Sequence, residues 1–268
     1  MEPSQRHDKW ADGDRYEPYV GRWSRRVAQA FLDWLAVPQE RDWLDVGCGT
    51  GALSGTILER AHPRSLTGVD ASPGFVEYSK ARLGSERARF ERGDAQSLPL
   101  AAASVDAVVS GLVLNFVPQP ARAVAEMRRV ARPGGVIGAY VWDYAEGMEL
   151  MRCFWDAAVA LDHAAQELDE GPRFPICRPE PLARLFAEAG LAGVETRAID
   201  VPTVFRDFDD YWKPFLGGQG PAPGYAVSLD EARRGALRER IQSRLPISQD
   251  GSIHLMARAW AVRGEAAR

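Results

Sequence analysis

The sequence predicts an α/β fold built on a parallel sheet with helices on its faces. Short apolar runs alternate with amphipathic stretches through the first half of the chain, and several runs end in an acid or a glycine. Buried parallel strands have this apolar character, whereas amphipathic stretches with apolar residues three or four apart are typical of helices. Strands that alternate with helices predict βαβ units.

Five strands are predicted in this alternating part, at 42–47, 65–70, 88–94, 104–111 and 136–143. Helices are predicted at 22–37, 48–61, 72–83 and 119–131. In the first of these helices Trp23, Val27 and Phe31 follow one another at a spacing of four, which places them on one face.

The alternation changes after Asp143. A long helical stretch (147–168), a second helix (182–191), a sixth strand (193–205) and a final strand (253–264) are predicted there. Two regions between them do not fit the alternating core, and we expect them to cover the carboxyl edge of the sheet, where open α/β sheets bind ligands. The segment 217–224 is predicted to be a loop, either a mobile lid edge or a passive surface loop.

The composition narrows the function. The 33 Lys and Arg residues against 37 Asp and Glu give a net charge of −4. The protein therefore has no overall positive potential that would attract nucleic acid or an anionic membrane. The first ten residues are polar and no apolar run is as long as a membrane span, so a cytoplasmic protein is expected. The three cysteines form no CxxC pair, and neither a disulfide framework nor a metal site is predicted.

The segment LDVGCGTGAL (44–53) carries the main functional motif. Gly47, Gly49 and Gly51 stand at alternate positions where the chain turns from strand to helix, so a ligand can approach the backbone closely. Asp45 lies just before these glycines. A carboxylate there repels a pyrophosphate but suits a cationic amino acid.

Two more acids end the next two predicted strands. Asp70 lies 19 residues after Gly51, where a carboxylate accepts hydrogen bonds from both hydroxyls of a ribose. Asp94 in GDAQSLPL can accept from an exocyclic amine such as that of adenine. A ligand with an ammonium, a ribose diol and an adenine but no phosphate is S-adenosylmethionine.

With these motifs, residues 42–143 resemble the class I S-adenosylmethionine-dependent methyltransferases, especially the ubiquinone/menaquinone-biosynthesis-type group. The resemblance rests on LDVGCGTG, GVD, GDAQSLPL and SVDAVVSGLVLNFVPQPARAVAEMRRVARPGGVI. It implies a Rossmann-like sheet, mostly parallel with an antiparallel last strand, that carries helical cap insertions. It also implies S-adenosylmethionine as cofactor and S-adenosylhomocysteine as product.

The resemblance implies a set of cofactor contacts. The glycine loop would hold the methionine part, the acid at Asp70 the ribose, and the backbone around Ser110 the methionine amino group, while aromatic residues of YEPYVGRWSR (16–25) would cover the cofactor. The residues expected to bind it are Tyr16, Trp23, Asp45, Gly47, Cys48, Gly49, Gly51, Asp70, Ala71, Asp94, Ala95, Ser110 and Gly111.

The expected organisation follows from the core and the two regions outside it. It comprises an N-terminal helical element over the cofactor (1–41), the cofactor-binding core (42–143), a cap insertion (144–178), a core helix and sixth strand (179–205), a second cap insertion (206–250), and a final strand with its tail (251–268).

The expected activity is methyl transfer to a small, apolar or aromatic acceptor, because both cap regions are rich in aromatic residues. Orientation and desolvation would drive it. His163, Asp143 and Asp207 are the candidates for a general base. LNFVPQP has Asn115 and Phe116 where many relatives have two histidines, so no base is expected there.

Two alternatives stay open. The first is a protein that binds the cofactor without transferring its methyl group, as a scaffold, a cyclase or a decarboxylase. The second is an NAD(P)-dependent oxidoreductase, since Gly47, Gly49 and Ala52 also satisfy GxGxxA. Neither the methylated atom nor the oligomeric state follows from the sequence.

Overall fold

The computed structural model describes residues 21–218 and 220–267. Its strands are β1 (Asp42–Val46), β2 (Ser65–Asp70), β3 (Ala88–Arg92), β4 (Val105–Gly111), β5 (Ala131–Trp142), β6 (Leu191–Phe205) and β7 (Ile253–Ala266). They form one sheet in the order β3-β2-β1-β4-β5-β7-β6. β1 to β5 pair in parallel, and β7 is antiparallel to both neighbours. This confirms the predicted fold class.

Helices surround this sheet. The described helices are α1 (Arg22–Leu35), α2 (Ala52–Thr56), α3 (Pro73–Leu83), α4 (Pro120–Val130), α5 (Glu149–Leu161), α6 (Glu170–Arg173), α7 (Pro179–Glu188), α8 (Phe208–Trp212), α9 (Pro221–Ser228) and α10 (Glu231–Gln242). A π-helical turn, Ile57–Ala61, continues α2. Within the described part of the chain, no helix combines the length and apolar character needed to cross a membrane.

Two predictions of local structure are wrong. The helix predicted over 147–168 ends at Leu161, because the Asp162 carboxylate accepts from Ala164 N at 3.0 Å and starts a separate 3-10 turn. The loop predicted over 217–224 is partly helical, since α9 begins at Pro221. Proline suits the first turn of a helix, and Pro221, Ala222 and Pro223 are buried.

α1 packs on one face of the sheet near its centre. Its buried side chains include Val27, Phe31 and Leu35. The Phe31 ring meets the ring of Tyr140 on β5 with centroids 4.8 Å apart, in an edge-to-face arrangement that aromatic pairs prefer. The predicted helix of the N-terminal region is therefore part of the main core.

The segments after β5 and β6 emerge at the same edge of the sheet. Because β7 is antiparallel to both β5 and β6, those two strands run in the same direction. The segments then pack on each other: the rings of Phe154 and Phe215 stack at 4.6 Å, and the Tyr211 hydroxyl donates to Leu150 O at 2.7 Å. An aromatic layer thus joins α5 to the region following β6.

Candidate active site

A cavity of about 370 Å³ opens at the carboxyl ends of the central strands. Its walls come from the turns after β1, β2 and β3 on one side, and from the ends of β4 and β5 on the other. Ligand sites usually have volumes of roughly 300–1,000 Å³ and occupy this edge of an open α/β sheet. The cavity is therefore the candidate binding site.

The turn after β1 is set by its glycines. Gly47, Gly49 and Gly51 have φ values of 73°, 52° and 79°, in the left-handed region that glycine adopts without strain. The amides of Gly47 and Cys48 donate to Val69 O at 2.7 and 3.1 Å, which ties the turn to the end of β2. A Cβ at Gly47 would lie 2.5 Å from Cγ2 of Val113, so the turn and the loop after β4 are in close contact.

Asp45 is a buried carboxylate in the cavity wall, 1% exposed. The Ser54 hydroxyl donates to its Oδ2 at 2.6 Å, whereas Oδ1 has no hydrogen-bond partner among the described residues. Burial raises the pKa of Asp45 to about 7, and the negative charge of Asp70 adds to this rise. A buried carboxylate with an unsatisfied oxygen is suited to a cationic group of a ligand.

Asp70, at the end of β2, is oriented by the backbone. Its Oδ2 accepts from Gly49 N at 2.9 Å and its Oδ1 from Ser72 N at 2.8 Å. Burial raises the pKa of Asp70, and the two amide hydrogen bonds oppose that rise. Each carboxylate oxygen has a second lone pair, so the side chain can still accept from two ligand hydroxyls.

The other lining residues at this side follow β1 and β3. Asp94 is exposed toward solvent, and its Oδ1 accepts from Gln96 N at 2.8 Å. The Cys48 thiol is buried, and burial raises its pKa far above the ordinary value. The thiol therefore stays protonated and only fills space in the cavity wall.

The structure brings most of the sequence-predicted cofactor residues to the cavity. Those that line it are Asp45, Gly47, Cys48, Gly49, Asp70, Ala71, Asp94, Ala95 and Gly111. Tyr16 lies outside the described residues. The individual cofactor contacts of these residues stay predictions.

Three predicted cofactor residues do not line the cavity. The Trp23 ring packs against Phe205 with centroids 5.6 Å apart, because the buried face of α1 meets the end of β6, so it does not cover the site. The Ser110 hydroxyl is buried and donates to Val46 O at 2.8 Å. A Cβ on Gly51 would lie 2.6 Å from Leu83, so this glycine faces α3. Ser110 and Gly51 shape the site without lining it.

The three candidate bases also lie away from the cavity. His163 is exposed in the 3-10 turn after α5. Asp207 is exposed and caps α8 by accepting from Asp210 N at 2.8 Å. Asp143 is buried but accepts from Glu146 N at 3.1 Å in the turn after β5, outside the cavity. None of the three lines the cavity, so a role of any of them as a base stays a prediction.

The aromatic side of the cavity was not predicted. Tyr140, Trp142 and Tyr144 line it from the end of β5, and Phe116 lines it from the loop after β4. Alternate residues of a strand point to the same face, so the spacing of the three aromatics in AYVWDY is the signal that could have found them.

This side also contacts the segment after β5. The Phe174 ring lies 5.2 Å from the ring of Phe116 and 5.8 Å from that of Tyr144. Phe174 follows α6, within the region 144–178 that the sequence marks as an insertion. The insertion therefore adds an aromatic side chain beside the wall of the cavity.

Comparison with known proteins agrees with this geometry. Residues 44–139 match the family described as "Methyltransferase domain". An uncharacterized 37.1 kDa protein of a Streptomyces fradiae transposon is 35% identical over 69% of this chain and 52% of its own length. A demethylmenaquinone methyltransferase of Staphylococcus aureus is 29% identical over 66% of this chain and 76% of its own. Among solved structures, the cyclase SpnF has a TM-score of 0.58 at 20% identity, over 99% of this chain and 90% of its own.

Residues 44–139 of the chain thus match a methyltransferase domain. The family resemblance, the fold and the cofactor class expected from the sequence are confirmed. The chain spans about half the length of the Streptomyces relative.

Proposed function

We propose that the protein transfers a methyl group from S-adenosylmethionine to a small apolar or aromatic acceptor. The observation that carries the proposal is the buried Oδ1 of Asp45, which has no partner among the described residues and lies in the cavity wall beside the glycine turn. The aromatic residues on the other side of the same cavity support the class of acceptor.

The donor groups of the cavity fit the cofactor. Asp45 would bind the ammonium of its methionine part, Asp70 the ribose hydroxyls, and Asp94 with Ala95 the adenine. Three carboxylates and no cationic side chain line the described cavity, which suits a ligand that carries positive charge and no phosphate. When bound, the cofactor supplies a methyl group already activated by its sulfonium.

The residues of this chain would then contribute orientation and exclusion of water. Holding two reactants in line can lower a barrier by about 7–11 kcal/mol. No His, Lys or Glu side chain lines the cavity in the described part of the chain. The three carboxylates that line it are each assigned to the cofactor in this proposal, so the acceptor is one that reacts without a strong base.

The finer expectations belong to this proposal. Regions 144–178 and 206–250 act as a cap that closes the acceptor side, and the N-terminal element (1–41) borders the cofactor site, where its Ser24 lines the cavity. The partner is a small molecule and not a nucleic acid. The cytoplasmic location expected from the composition is also a prediction.

A second candidate keeps the cofactor but not the transfer. The cyclase SpnF shares this fold over nearly the full length of the chain, and its name describes a reaction other than methylation. That likeness concerns the fold alone, so the candidate ranks below methyl transfer.

Methyl-labelled cofactor tests the proposal. The protein is incubated with it and with small aromatic phenols, amines and ketones, and labelled product and S-adenosylhomocysteine are measured together. If the protein transfers the methyl group, labelled product and S-adenosylhomocysteine should form in equal amounts, and neither should form without an acceptor. Conversion of an acceptor with all label still on the cofactor would favour the second candidate. As a control, Asp33→Ala removes an exposed acid far from the cavity, paired with Arg60, and should leave turnover unchanged.

A further inference from the structure

The structure assigns an acceptor subsite to the ends of β4 and β5, and we propose that it binds a neutral, planar ring system whose oxygen accepts a hydrogen bond from Trp142 Nε1. This inference deepens the proposed function and rests on it. Four observations carry it: the distribution of charge around the cavity, the state of the Trp142 indole, the character of the wall, and the position of Phe174.

Charge divides the cavity into two ends. All charged side chains that line it in the described chain are acids, and they follow β1, β2 and β3. The sheet order places β4 and β5 on the other side of β1, and the lining residues there are uncharged. An anionic acceptor would meet three carboxylates without a compensating cation, so the subsite favours a neutral molecule.

Trp142 supplies the polar contact. The residue lines the cavity and is 2% exposed, yet its Nε1 has no acceptor among the described residues. Indole is a donor only, and a buried indole N–H usually has a hydrogen-bond partner. Because Trp142 lines the cavity, a ligand oxygen is the partner that we assign to this N–H, and a carbonyl or ether oxygen provides it without charge.

The wall around this donor is mainly aromatic. Phe116, Tyr140 and Tyr144 line the cavity beside Trp142. The Phe174 ring meets Phe116 at an interplanar angle of 77° and so supports the wall from the side of the cap. Aromatic walls favour planar ring systems through stacked and edge-to-face contacts.

Two pairs of neutral probes test the hydrogen bond. α-Tetralone is compared with tetralin, and acetophenone with ethylbenzene, by titration into the full-length protein saturated with S-adenosylhomocysteine. In each pair only the ketone can accept from Trp142. We expect the ketone to bind about two- to tenfold more tightly in the wild type. This comparison needs no variant.

Variants then locate the donor. Trp142→Phe removes the N–H, and the preference for the ketone should disappear. Trp43→Phe is the matched control, because Trp43 is equally buried and also has an unpartnered Nε1, but does not line the cavity. It should keep the preference. Methyl benzoate should also bind more tightly than the anion benzoate.

Each other outcome counts against the inference. If the wild type binds ketone and hydrocarbon equally, or if Trp142→Phe keeps the preference, Trp142 is not the donor. If the protein binds S-adenosylhomocysteine but none of the neutral probes, the assignment of the acceptor subsite is wrong, whereas the cofactor site is supported. The same holds if the protein binds benzoate more tightly than methyl benzoate. If S-adenosylhomocysteine itself fails to bind, the proposed function fails, and this inference fails with it.

Discussion

The two sides of the cavity are held in different ways. On the acidic side, backbone and hydroxyl donors fix the carboxylates: Gly49 N and Ser72 N on Asp70, and the Ser54 hydroxyl on Asp45. On the aromatic side, rings are fixed by other rings, as Phe174 is against Phe116 and Tyr144. Hydrogen bonds to a turn specify the position of one atom, whereas ring packing specifies a shape and tolerates volume-conserving change.

This difference suits a site with one constant and one variable ligand. The acidic side has the groups for a single cofactor, and small changes there should abolish binding. Substitutions on the aromatic side should have smaller effects on cofactor binding and should change which acceptor is bound. The four predictions below test this contrast, from the largest expected effect to the smallest.

Substitution of Gly47 should have the largest effect. Gly47→Ala forces an L-residue into a left-handed conformation and places Cβ against Val113. The free energy of unfolding should fall by about 2–5 kcal/mol, from backbone strain and overpacking together. Urea denaturation measures this change, and calorimetry should show that cofactor binding is lost.

The control for that variant is Gly235→Ala. Gly235 lies within α10, and nothing would contact the added Cβ within 4 Å. Alanine there should raise the free energy of unfolding by about 0.5–1 kcal/mol because helical glycine is unfavourable. If Gly47→Ala proved as harmless as this control, the tight turn would not define the acidic side.

Asp70→Ala should have the next largest effect. Loss of charged hydrogen bonds to the ribose should weaken S-adenosylmethionine binding by about 1.5–3 kcal/mol, or roughly 10- to 150-fold. Titration calorimetry measures the affinity, with Asp33→Ala as the unaffected surface control. An unchanged affinity in Asp70→Ala would show that the ribose assignment is wrong.

Asp45 should make cofactor binding depend on pH. Its carboxyl ionises with a pKa of about 7, and only the anion attracts an ammonium. Affinity should therefore rise by up to about tenfold per pH unit as the pH increases toward 7, and then level off. Titrations between pH 5.5 and 7.5, where the ligand amine stays protonated, test this, and Asp45→Asn should bind weakly with a flat profile. A variant that kept the wild-type profile would exclude Asp45 as the titrating group.

Glu170, near the aromatic side, should affect stability rather than binding. It is buried and accepts from Trp155 Nε1, and burial raises its pKa from 4.5 to about 8. The folded state therefore holds a proton that the unfolded state has lost, and stability declines as the pH rises from about 5 through 8. Glu170→Gln should remove the part of this loss of stability with pH that the ionisation of Glu170 causes.

Urea denaturation of wild type and Glu170→Gln at pH 5.5, 6.5 and 7.5 measures that share. Asp45 also loses its proton in this range, but it is common to both proteins and cancels in the difference. The difference should change by at most about 1.4 kcal/mol per pH unit, in favour of the variant at higher pH. If the difference in free energy of unfolding between the two proteins did not change with pH, Glu170 would not ionise in this pH range.

The acidic side was predictable from sequence because its geometry is local. Asp45 and Gly47 lie within one strand and its turn, and the ends of neighbouring parallel strands must meet at one edge of the sheet. The strands, their order of occurrence and the antiparallel last strand were anticipated for the same reason or through the family resemblance.

The contact of the insertion with the aromatic side could not be predicted, because it depends on residues far apart in the chain. Phe174 reaches Phe116 across 58 positions, and only the fold shows which aromatic residues of the insertion face the cavity. The family resemblance placed Trp23 on the cofactor, and helical spacing gives the buried face of α1 but not its neighbour, which is Phe205.

The most direct test of the whole account is a calorimetric titration of the protein with S-adenosylmethionine and S-adenosylhomocysteine, with NADH as control. We expect saturable binding of both cofactor forms and none of NADH, because three carboxylates in the cavity repel a pyrophosphate. Binding of NADH with neither of the other two would contradict it and reassign the glycine turn to a dinucleotide.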